Sequence, residues 1–276
     1  MLDVKDHKVD YHIHTFYSDG QASPESVVKR AAQLGYEEIA ITDHDVTGGV
    51  EEAVNAGKRA GIQVVTGIEL ATETEDGIGL HMLGYGFDVK DAHFCETLEE
   101  LRKRRNDRNL KLIGVLQDMG YDITIEELLV KQPNGFIGKP VIARTLVEKG
   151  YIDDYTEAFK NGRIFASPEA RAVKKVKILA SDAVSLIRDA GGVAVLAHPI
   201  QTRKVGKTGS EEFYANMRNI IGTLAEQGLS GLECYHPDQD VYQTKRFVEM
   251  AGVYGLKITR GSDFHGIDFA DAEPTA

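Results

Sequence analysis

Short apolar segments alternate with longer amphipathic segments along most of this 276-residue chain. Buried strands are predicted where the apolar runs are short, at residues 9–13, 38–42 and 62–68. The segments between them carry apolar residues at helical spacing, and the first helix opens with Ser23, Pro24 and Glu25, a typical start signal. Strands and helices that alternate at this spacing predict a parallel sheet of βα units.

This alternation is interrupted in the middle of the chain. A short strand at 78–84 is followed by a long helical pattern at 91–120 and by shorter helices at 126–130, 141–148 and 153–159. The earlier rhythm then returns, with helices at 181–190, 211–227 and 239–254, strands at 193–197, 231–235 and 256–259, and a loop at 266–276. We therefore expect one domain from residues 1–90 plus 178–276, and a helical insertion domain, residues 91–177, that covers the active site.

Composition and charge narrow the class of protein. Hydrophobic residues make up 42% and charged residues 27%, and no apolar run approaches the roughly 18 residues of a membrane span. A polar N-terminus and two cysteines favour a cytoplasmic protein with reduced thiols and no membrane partner. The net charge of −11 argues against a stable nucleic-acid complex. Residues 99–177 nevertheless carry a net charge of +4. These cations either face an anionic substrate or lie on solvated helix faces.

Histidines concentrate where active sites of βα proteins form. Seven of the nine lie in or just after the carboxyl end of a predicted strand, namely His12, His14, His44, His81, His198, His236 and His265. With Asp19, Glu69 and Asp263 they predict a ring of imidazoles and carboxylates. One such histidine alone is usually an ordinary hydrogen-bonded residue, but burying so many ionisable groups unpaired is prohibitive. We expect a multinuclear site for Mn, Zn or Fe, with Glu69 as a bridge.

Motifs in a fixed order resemble those of the PHP (polymerase and histidinol phosphatase) family. They are Asp10-Tyr11-His12-Ile13-His14-Thr15, Ser18-Asp19-Gly20, Ile41-Thr42-Asp43-His44-Asp45, Gly67-Ile68-Glu69, Ala197-His198-Pro199 and Gly261-Ser262-Asp263-Phe264-His265. The helical insertion resembles that of the family's small-molecule phosphoesterase branch. The resemblance implies an α/β fold, a distorted (β/α)7 barrel of the amidohydrolase-like kind, with a trinuclear centre of divalent metal ions.

The resemblance also implies how the ligands divide among three metals. The first metal would take His12, His14, Glu69 and Asp263. The second would take Glu69, His81 and His198, and the third Asp19, His44 and His265. His81 has the least motif support of these residues. Asp43 and Asp45 are expected to support the ligands rather than to bind metal.

The expected reaction is hydrolysis of a phosphate ester, with a metal-bound hydroxide attacking phosphorus. Asp263, Glu69 and His236 are the catalytic candidates, and His236 either protonates the leaving oxygen, binds the phosphate or only hydrogen-bonds beside Pro237. The segment Gly138-Lys139-Pro140-Val141-Ile142-Ala143-Arg144 resembles the branch's Gly-Arg-Pro-His-Ile-Ala-Arg, with departures at positions 139 and 141. The candidates for binding substrate phosphate are Lys139, Arg144, His236, Arg203, Arg108 and Arg105.

Two classes of function follow from these expectations. The first is a phosphoesterase acting on a small phosphorylated ribose compound, either a cyclic ribose phosphate or a nucleoside 3′,5′-bisphosphate, with histidinol-phosphate phosphatase as a variant. The second is a nuclease, either a 5′–3′ exonuclease on short RNA or a proofreading module of a polymerase. The net charge and the lack of a polymerase region in this sequence favour the first class. The full ligand set disfavours a non-catalytic domain.

Overall fold

A computed structural model describes residues 4, 7–132, 134–175 and 177–269, and every structural statement below concerns these residues. The strands are β1 (Val9–Ile13), β2 (Glu38–Ile41), β3 (Gln63–Glu73), β4 (Gly79–Tyr85), β5 (Ile178–Leu179), β6 (Val193–Leu196), β7 (Gly231–Tyr235) and β8 (Lys257–Arg260). The helices are α1 (Pro24–Gln33), α2 (Val50–Ala60), α3 (Ala92–Asp118), α4 (Ile125–Lys131), α5 (Lys139–Glu148), α6 (Pro168–Ala172), α7 (Ala180–Asp189), α8 (Glu211–Glu226) and α9 (Val241–Val253).

Seven of the described strands form a nearly closed barrel in the order β1-β2-β3-β4-β6-β7-β8, while β5 pairs with β3 off this path. The two ends of the sheet approach each other beyond β1 and β8. Ile13 forms a bridge with Phe264, and the His14 N–H donates to the Phe264 carbonyl at 2.8 Å. The expected α/β barrel is therefore confirmed.

The hairpin of β3 and β4 departs from the expected parallel sheet. β3 continues to Glu73 instead of ending at Glu69, and β4 runs antiparallel to both β3 and β6. The connection of residues 74–78 explains this, because so short a loop can join only antiparallel neighbours. Gly77 supplies the positive φ of +74° that the turn requires.

Helices pack outside the strands through the apolar faces that the sequence predicts. In α1 the Ser23 hydroxyl accepts the Ser26 N–H at 3.1 Å, and Pro24 occupies the first turn. Val27, Val28 and Ala31 of this helix are buried against the barrel. Helices α7, α8 and α9 likewise bury apolar faces against the strands from β4 to β8, and together they form the largest apolar cluster of the described residues.

The helical insertion shares its first helix with the barrel. Phe94 and Leu98 near the start of α3 pack in the barrel's main apolar cluster, whereas Leu112 and Leu116 pack with α4 and α5 in a second cluster. The division at residue 91 stays a prediction. The segment expected as a helix at 153–159 is a 3-10 helix, Tyr155–Phe159, and α6 was not predicted.

The end of the chain is described only in part. The loop expected at 266–276 lies outside the described residues beyond position 269. Among the described helices, none is both long and apolar enough to cross a membrane.

Candidate metal centre

Nine imidazole and carboxylate side chains form one contiguous cluster. Each belongs to at least one group of three or four residues whose ligand atoms lie within 4.8 Å of one another. The nine are His12, His14, Asp19, His44, Glu69, His81, His198, Asp263 and His265. They are the nine residues expected from the sequence, and their role as metal ligands stays a prediction.

The Glu69 carboxylate lies at the centre of this cluster. Its oxygens are close to nitrogens of five imidazoles, those of His12 (3.4 Å), His14 (3.2 Å), His44 (2.9 Å), His81 (2.9 Å) and His198 (3.0 Å). A carboxylate with neighbours on both oxygens has the geometry of a bridge between cations.

The antiparallel hairpin explains how Glu69 meets His81. Glu69 lies within β3 and His81 within β4, so neither follows the strand-end rule that places the other histidines. The register pairs Glu69 with Leu83 and Ala71 with His81. Because side chains alternate along a strand, Glu69 and His81 therefore project from the same face of the hairpin.

Asp19 lies on another side of the cluster. Its Oδ1 is 3.2 Å from His265 Nε2, and its Oδ2 is 3.8 Å from His44 Nε2. His14 also joins this group, with its ring stacked on that of His265 at 4.0 Å between centroids. The loop that carries Asp19 needs Gly20, since a Cβ there would lie 2.5 Å from the His14 carbonyl oxygen.

The Asp263 carboxylate lies between the rings of His12 and His14 on one side and the His236 ring on the other. Its Oδ1 lies 3.4 Å from His12 Nε2 and 3.2 Å from His14 Nε2, and its Oδ2 lies 3.6 Å from His236 Nε2. His236 Nδ1 accepts the Asp238 N–H at 3.1 Å, so a neutral His236 ring carries its proton on Nε2. His236 thus presents a donor to the cluster, unlike the nine candidate ligands.

The buried donor atoms fit a cation. Five of them lie close to one another but make no hydrogen bond of acceptable geometry: His12 Nε2, His14 Nε2, Asp19 Oδ1, His44 Nδ1 and Glu69 Oε2. Leaving so many buried polar atoms unsatisfied is costly, and divalent ions would supply a common partner. Imidazole and carboxylate donors without sulfur suit Mn, Zn or Fe.

Mutual attraction within the cluster sets its protonation. Burial raises the pKa of Glu69, but the charges of His44, His81 and His12 outweigh it and hold that pKa well below its usual value. Burial lowers the pKa of His14, yet the carboxylates of Asp263 and Glu69, each 3.2 Å from its Nε2, raise it to about 10. For His81 burial prevails and lowers the pKa to about 4. His81 is therefore held neutral, the form in which imidazole binds a metal.

Asp43 supports the first loop, as expected. Its carboxylate accepts the Thr15 N–H at 2.8 Å, the Thr15 hydroxyl at 2.6 Å and the Ser18 hydroxyl at 2.5 Å. These bonds fix the segment between His14 and Asp19 and so hold two candidate ligands in place.

Two further buried acids, Asp10 and Glu233, were not predicted. Asp10 Oδ1 accepts the main-chain N–H groups of His12 at 3.1 Å and Ser262 at 3.0 Å, and burial raises its pKa to about 6. Glu233 lies 3.0 Å from His12 Nδ1 and accepts the His198 N–H at 2.7 Å. The sequence could have indicated both, because each places a carboxylate inside an otherwise apolar strand. Asp10 lies in Val9–Ile13 and Glu233 in Gly231–Tyr235.

Asp45 ties the insertion to the barrel beside the cluster. Its carboxylate accepts the Ala71 N–H at 2.9 Å and forms ion pairs with Arg105 and with Lys175, the latter at 3.1 Å. Burial raises the pKa of Asp45, but the charges of Lys175 and Arg105 lower it below the usual value. Arg105 also lies 4.4 Å from the centre of the Phe136 ring. Arg105, which was expected to bind the substrate phosphate, is therefore held by Asp45.

A cavity of about 800 Å³ opens beside His81 and His198. Seven cationic side chains line it: Lys139, Arg171, Lys174, Lys175, Lys177, Arg203 and Lys204. Only two acids, Glu73 and Asp76, are among its described lining residues. This excess of positive charge suits an anionic ligand. We call this space the basic cavity; Lys139 and Arg203 are among the phosphate-binding candidates named from the sequence, and the other five are not.

The remaining phosphate candidates lie elsewhere. Arg108 is 8% exposed, and burial together with the charge of Arg105 lowers its pKa to about 10. Its Nε has no hydrogen-bond partner among the described residues. Arg144 donates to the Asp19 carbonyl at 3.2 Å and lines a separate cavity with Phe16. The predicted phosphate-binding residues thus do not form a single group.

Comparison with known proteins agrees with the fold. A family model for the PHP domain matches residues 10–181. A phosphoribosyl 1,2-cyclic phosphate 1,2-diphosphodiesterase from Eggerthella lenta is 34% identical over 93% of this chain and 94% of its own. A 5′-3′ exoribonuclease from Haemophilus influenzae is 30% identical over 94% and 90%, and a 3′,5′-nucleoside bisphosphate phosphatase from Chromobacterium violaceum is 30% identical over 93% and 87%.

A solved structure extends the likeness to three dimensions. A Bifidobacterium adolescentis protein with a provisional assignment as a metal-dependent phosphoesterase superposes with a TM-score of 0.82. It is 28% identical and covers 100% of this chain and 92% of its own. Fold, cluster and relatives together define a metal-dependent phosphoesterase. Within that class, the family match and the identity to the Eggerthella lenta protein show that the chain belongs to the PHP family.

Proposed function

We propose that this phosphoesterase hydrolyses a small phosphorylated ribose compound with two phosphate groups, either a cyclic ribose phosphate that carries a second phosphate or a nucleoside 3′,5′-bisphosphate. The observation that carries the proposal is the basic cavity, which adjoins His81 and His198 of the candidate metal centre. One phosphate can lie at the cluster while a second lies among the cations. The relatives from Eggerthella lenta and Chromobacterium violaceum are named for substrates of this kind.

The proposed metal centre holds three divalent ions of Mn, Zn or Fe. His12, His14, Glu69 and Asp263 would bind the first, Glu69, His81 and His198 the second, and Asp19, His44 and His265 the third. Support comes from the grouping of Asp19, His44 and His265 with His14, and from that of His12, His14 and Glu69. Distances of 2.9–3.2 Å among Glu69 Oε1, His81 Nδ1 and His198 Nε2 support the second set. Bound ions would supply an activated water and neutralise charge on the phosphoryl oxygens.

The chain's own residues orient the substrate and move protons. His236 Nε2–H is aimed toward Asp263, where it can donate to a phosphoryl oxygen or to the leaving oxygen. Glu69 and Asp263 both lie 3.4 Å from His12 Nε2, so the two carboxylates meet at the same candidate ligand atom. Lys139 and Arg203 would bind the second phosphate, because both side chains line the basic cavity.

Two alternatives remain distinct from this proposal. Histidinol phosphate has one phosphate and a cationic amine, which seven neighbouring cations would repel. A 5′–3′ exonuclease on short RNA has support in the Haemophilus influenzae relative, while the net charge of −11 disfavours long contacts with a polyanion.

The test is a substrate screen with Mn²⁺-loaded protein, measured as free phosphate for the phosphomonoesters, as ring-opened product for the cyclic ester and as mononucleotide for RNA. It compares an adenosine 3′,5′-bisphosphate, a cyclic ribose phosphate, histidinol phosphate and a short 5′-phosphorylated RNA. We expect the first two to give the highest kcat/KM. A preference for RNA or for histidinol phosphate by tenfold or more would replace the proposal, and no turnover of any of them would reject it.

A further inference from the structure

Glu233 joins two candidate ligands that are far apart in the sequence. The side chain is fully buried within β7. Its Oε1 lies 3.0 Å from His12 Nδ1, and its Oε2 accepts the main-chain N–H of His198 at 2.7 Å. The two imidazoles that it connects are themselves stacked, with centroids 5.6 Å apart. One carboxylate therefore contacts a ligand candidate of the first metal and one of the second.

The end of β8 is shaped around this contact. A Cβ at Gly261 would lie 2.3 Å from Glu233 Oε1 and 2.2 Å from His12 Cβ, which is closer than real Cβ contacts allow. The chain can pass here only without a side chain. The close approach at Gly261 is an observation independent of the hydrogen bonds, and it indicates that the Glu233–His12 pair has a fixed place in the barrel.

His198 has an unfavourable backbone conformation that the same carboxylate holds. Its φ is +22° and its ψ is +62°, values that a non-glycine residue seldom adopts. Such a conformation costs on the order of 1–3 kcal/mol and persists only where neighbouring groups enforce it. The bond from the His198 N–H to Glu233 is one such restraint, and in this conformation His198 Nε2 lies 3.0 Å from Glu69.

We propose that Glu233 is a positioning residue that orients His12 and His198 for two different metals at once. By accepting the Nδ1–H of His12, the carboxylate leaves the lone pair on Nε2, which lies 3.4 Å from both Glu69 and Asp263. By accepting the His198 N–H, it holds the second ring against Glu69. This inference rests on the proposed ligand roles of His12 and His198.

The carboxylate is required because it must accept two donors. A glutamine at position 233 has one acceptor oxygen, and its NH₂ group would face either His12 Nδ1 or the His198 N–H. In the first arrangement the amide donates to Nδ1 and forces the His12 proton onto Nε2, where it blocks a metal. In the second, two donors face each other and the His198 restraint is lost. Glu233→Gln therefore damages one site or the other without changing side-chain size.

The first measurement uses Zn²⁺-loaded wild-type protein with ¹⁵N-labelled histidine. The NMR shifts of the His12 ring nitrogens show which one carries the proton, and we expect Nδ1–H with Nε2 bound to the zinc ion. A proton on His12 Nε2 would overturn the inference whatever the protein hydrolyses. The expected tautomer supports the inference even if every phosphate ester tested stays intact, a result that would reject only the proposed function.

The second measurement is Zn²⁺ affinity by competition with a chelator. We expect Glu233→Gln to weaken binding at one or two sites by about 10- to 100-fold, the usual effect of removing a carboxylate behind a histidine ligand. Glu38→Gln, the same change at the start of β2, is the matched control and should bind like the wild type. A folded Glu233→Gln protein with wild-type affinity at every site would refute the inference. If that variant does not fold, the His12 tautomer in the wild-type protein still decides the inference.

Discussion

The ammonium group of Lys175 lies 3.1 Å from the carboxylate of Asp45, which joins the last part of the helical insertion to the loop after β2. Arg105 of α3 pairs with the same carboxylate. Because Asp45 directly follows His44, this junction adjoins the candidate metal centre. One buried acid thus holds two cations of the insertion in place.

Replacing Asp45 with asparagine should destabilise the fold. The change leaves the buried Arg105 and the partly buried Lys175 without a counter-charge, and we expect a loss of about 3 kcal/mol in the free energy of unfolding. Urea unfolding followed by circular dichroism gives this value. Arg59→Ala breaks the exposed pair with Glu25 and should cost less than about 1 kcal/mol. Equal losses in the two variants would contradict a buried junction.

The same junction predicts a pH dependence. Because Lys175 and Arg105 hold the pKa of Asp45 below its usual value, their stabilisation is fully present above about pH 4. It is lost as the pH falls further and the carboxylate binds a proton. The stability gap between the wild type and Asp45→Asn should therefore narrow in acid, as urea unfolding at pH 7 and at pH 3 would reveal. A stability difference that grows in acid would contradict a lowered pKa for Asp45.

Asp263→Asn should abolish turnover while the protein stays folded. Asparagine tolerates the left-handed backbone at this position, where φ is +53°, but it lacks the charge that faces His12 and His14. We expect kcat to fall by about 100- to 1000-fold or more, together with a loss of bound metal. Phosphate release and elemental analysis measure the two effects, and Asp189→Asn on the exposed side of α7 is the control. Retained activity would mean that Asp263 is not a ligand of the first metal.

Lys139 in the basic cavity should discriminate substrates by their second phosphate. For Lys139→Met we expect KM for adenosine 3′,5′-bisphosphate to rise about tenfold, since one charge-assisted contact is worth about 1.5 kcal/mol. KM for a simple phosphate monoester should change little. Lys139→Arg keeps the charge and should behave like the wild type, as should Lys58→Met on α2. A parallel rise for both substrates would place Lys139 at the reacting phosphate instead.

The two cysteines should differ sharply in reactivity. Cys95 is exposed, whereas Cys234 is buried, and burial followed by the charge of Glu233 raises the pKa of its thiol. A chromogenic disulfide reagent should therefore react with one thiol in the native protein and with the second only after unfolding. Mn²⁺ should slow the second reaction further, because ligand binding to the folded state suppresses opening. Rapid reaction of both thiols would mean that β7 is not packed as described.

The sequence predicted the barrel and its residue cluster for a physical reason. In parallel βα units the carboxyl ends of strands meet, so His12, His14 and His198 could be grouped from their positions alone. That rule does not explain Glu69 and His81, which lie inside an antiparallel hairpin whose strand direction depends on the five-residue loop between its strands. Both were included because the sequence placed them at the ends of predicted strands, whereas the structure places them inside the hairpin.

Other features depended on contacts that a sequence does not display. Glu233 and Asp10 stand out as acids within apolar strands, but each has a partner far along the chain, His12 for Glu233 and Ser262 for Asp10. Arg105 and Arg203 were equal candidates in the sequence, and only the fold separates them, one against Asp45 and one at the basic cavity. The two arginine side chains are chemically identical, so only the tertiary structure shows which groups each of them contacts.

The bridge between Ile13 and Phe264 has a consequence for protein synthesis. His12 and His14 are synthesised about 250 residues before Asp263 and His265. At about 5–20 residues per second this interval is roughly 10–50 s, during which the donor set lacks Asp263 and His265. A chain that terminates before residue 263 cannot assemble the full donor set. Metal uptake would then distinguish finished molecules from fragments.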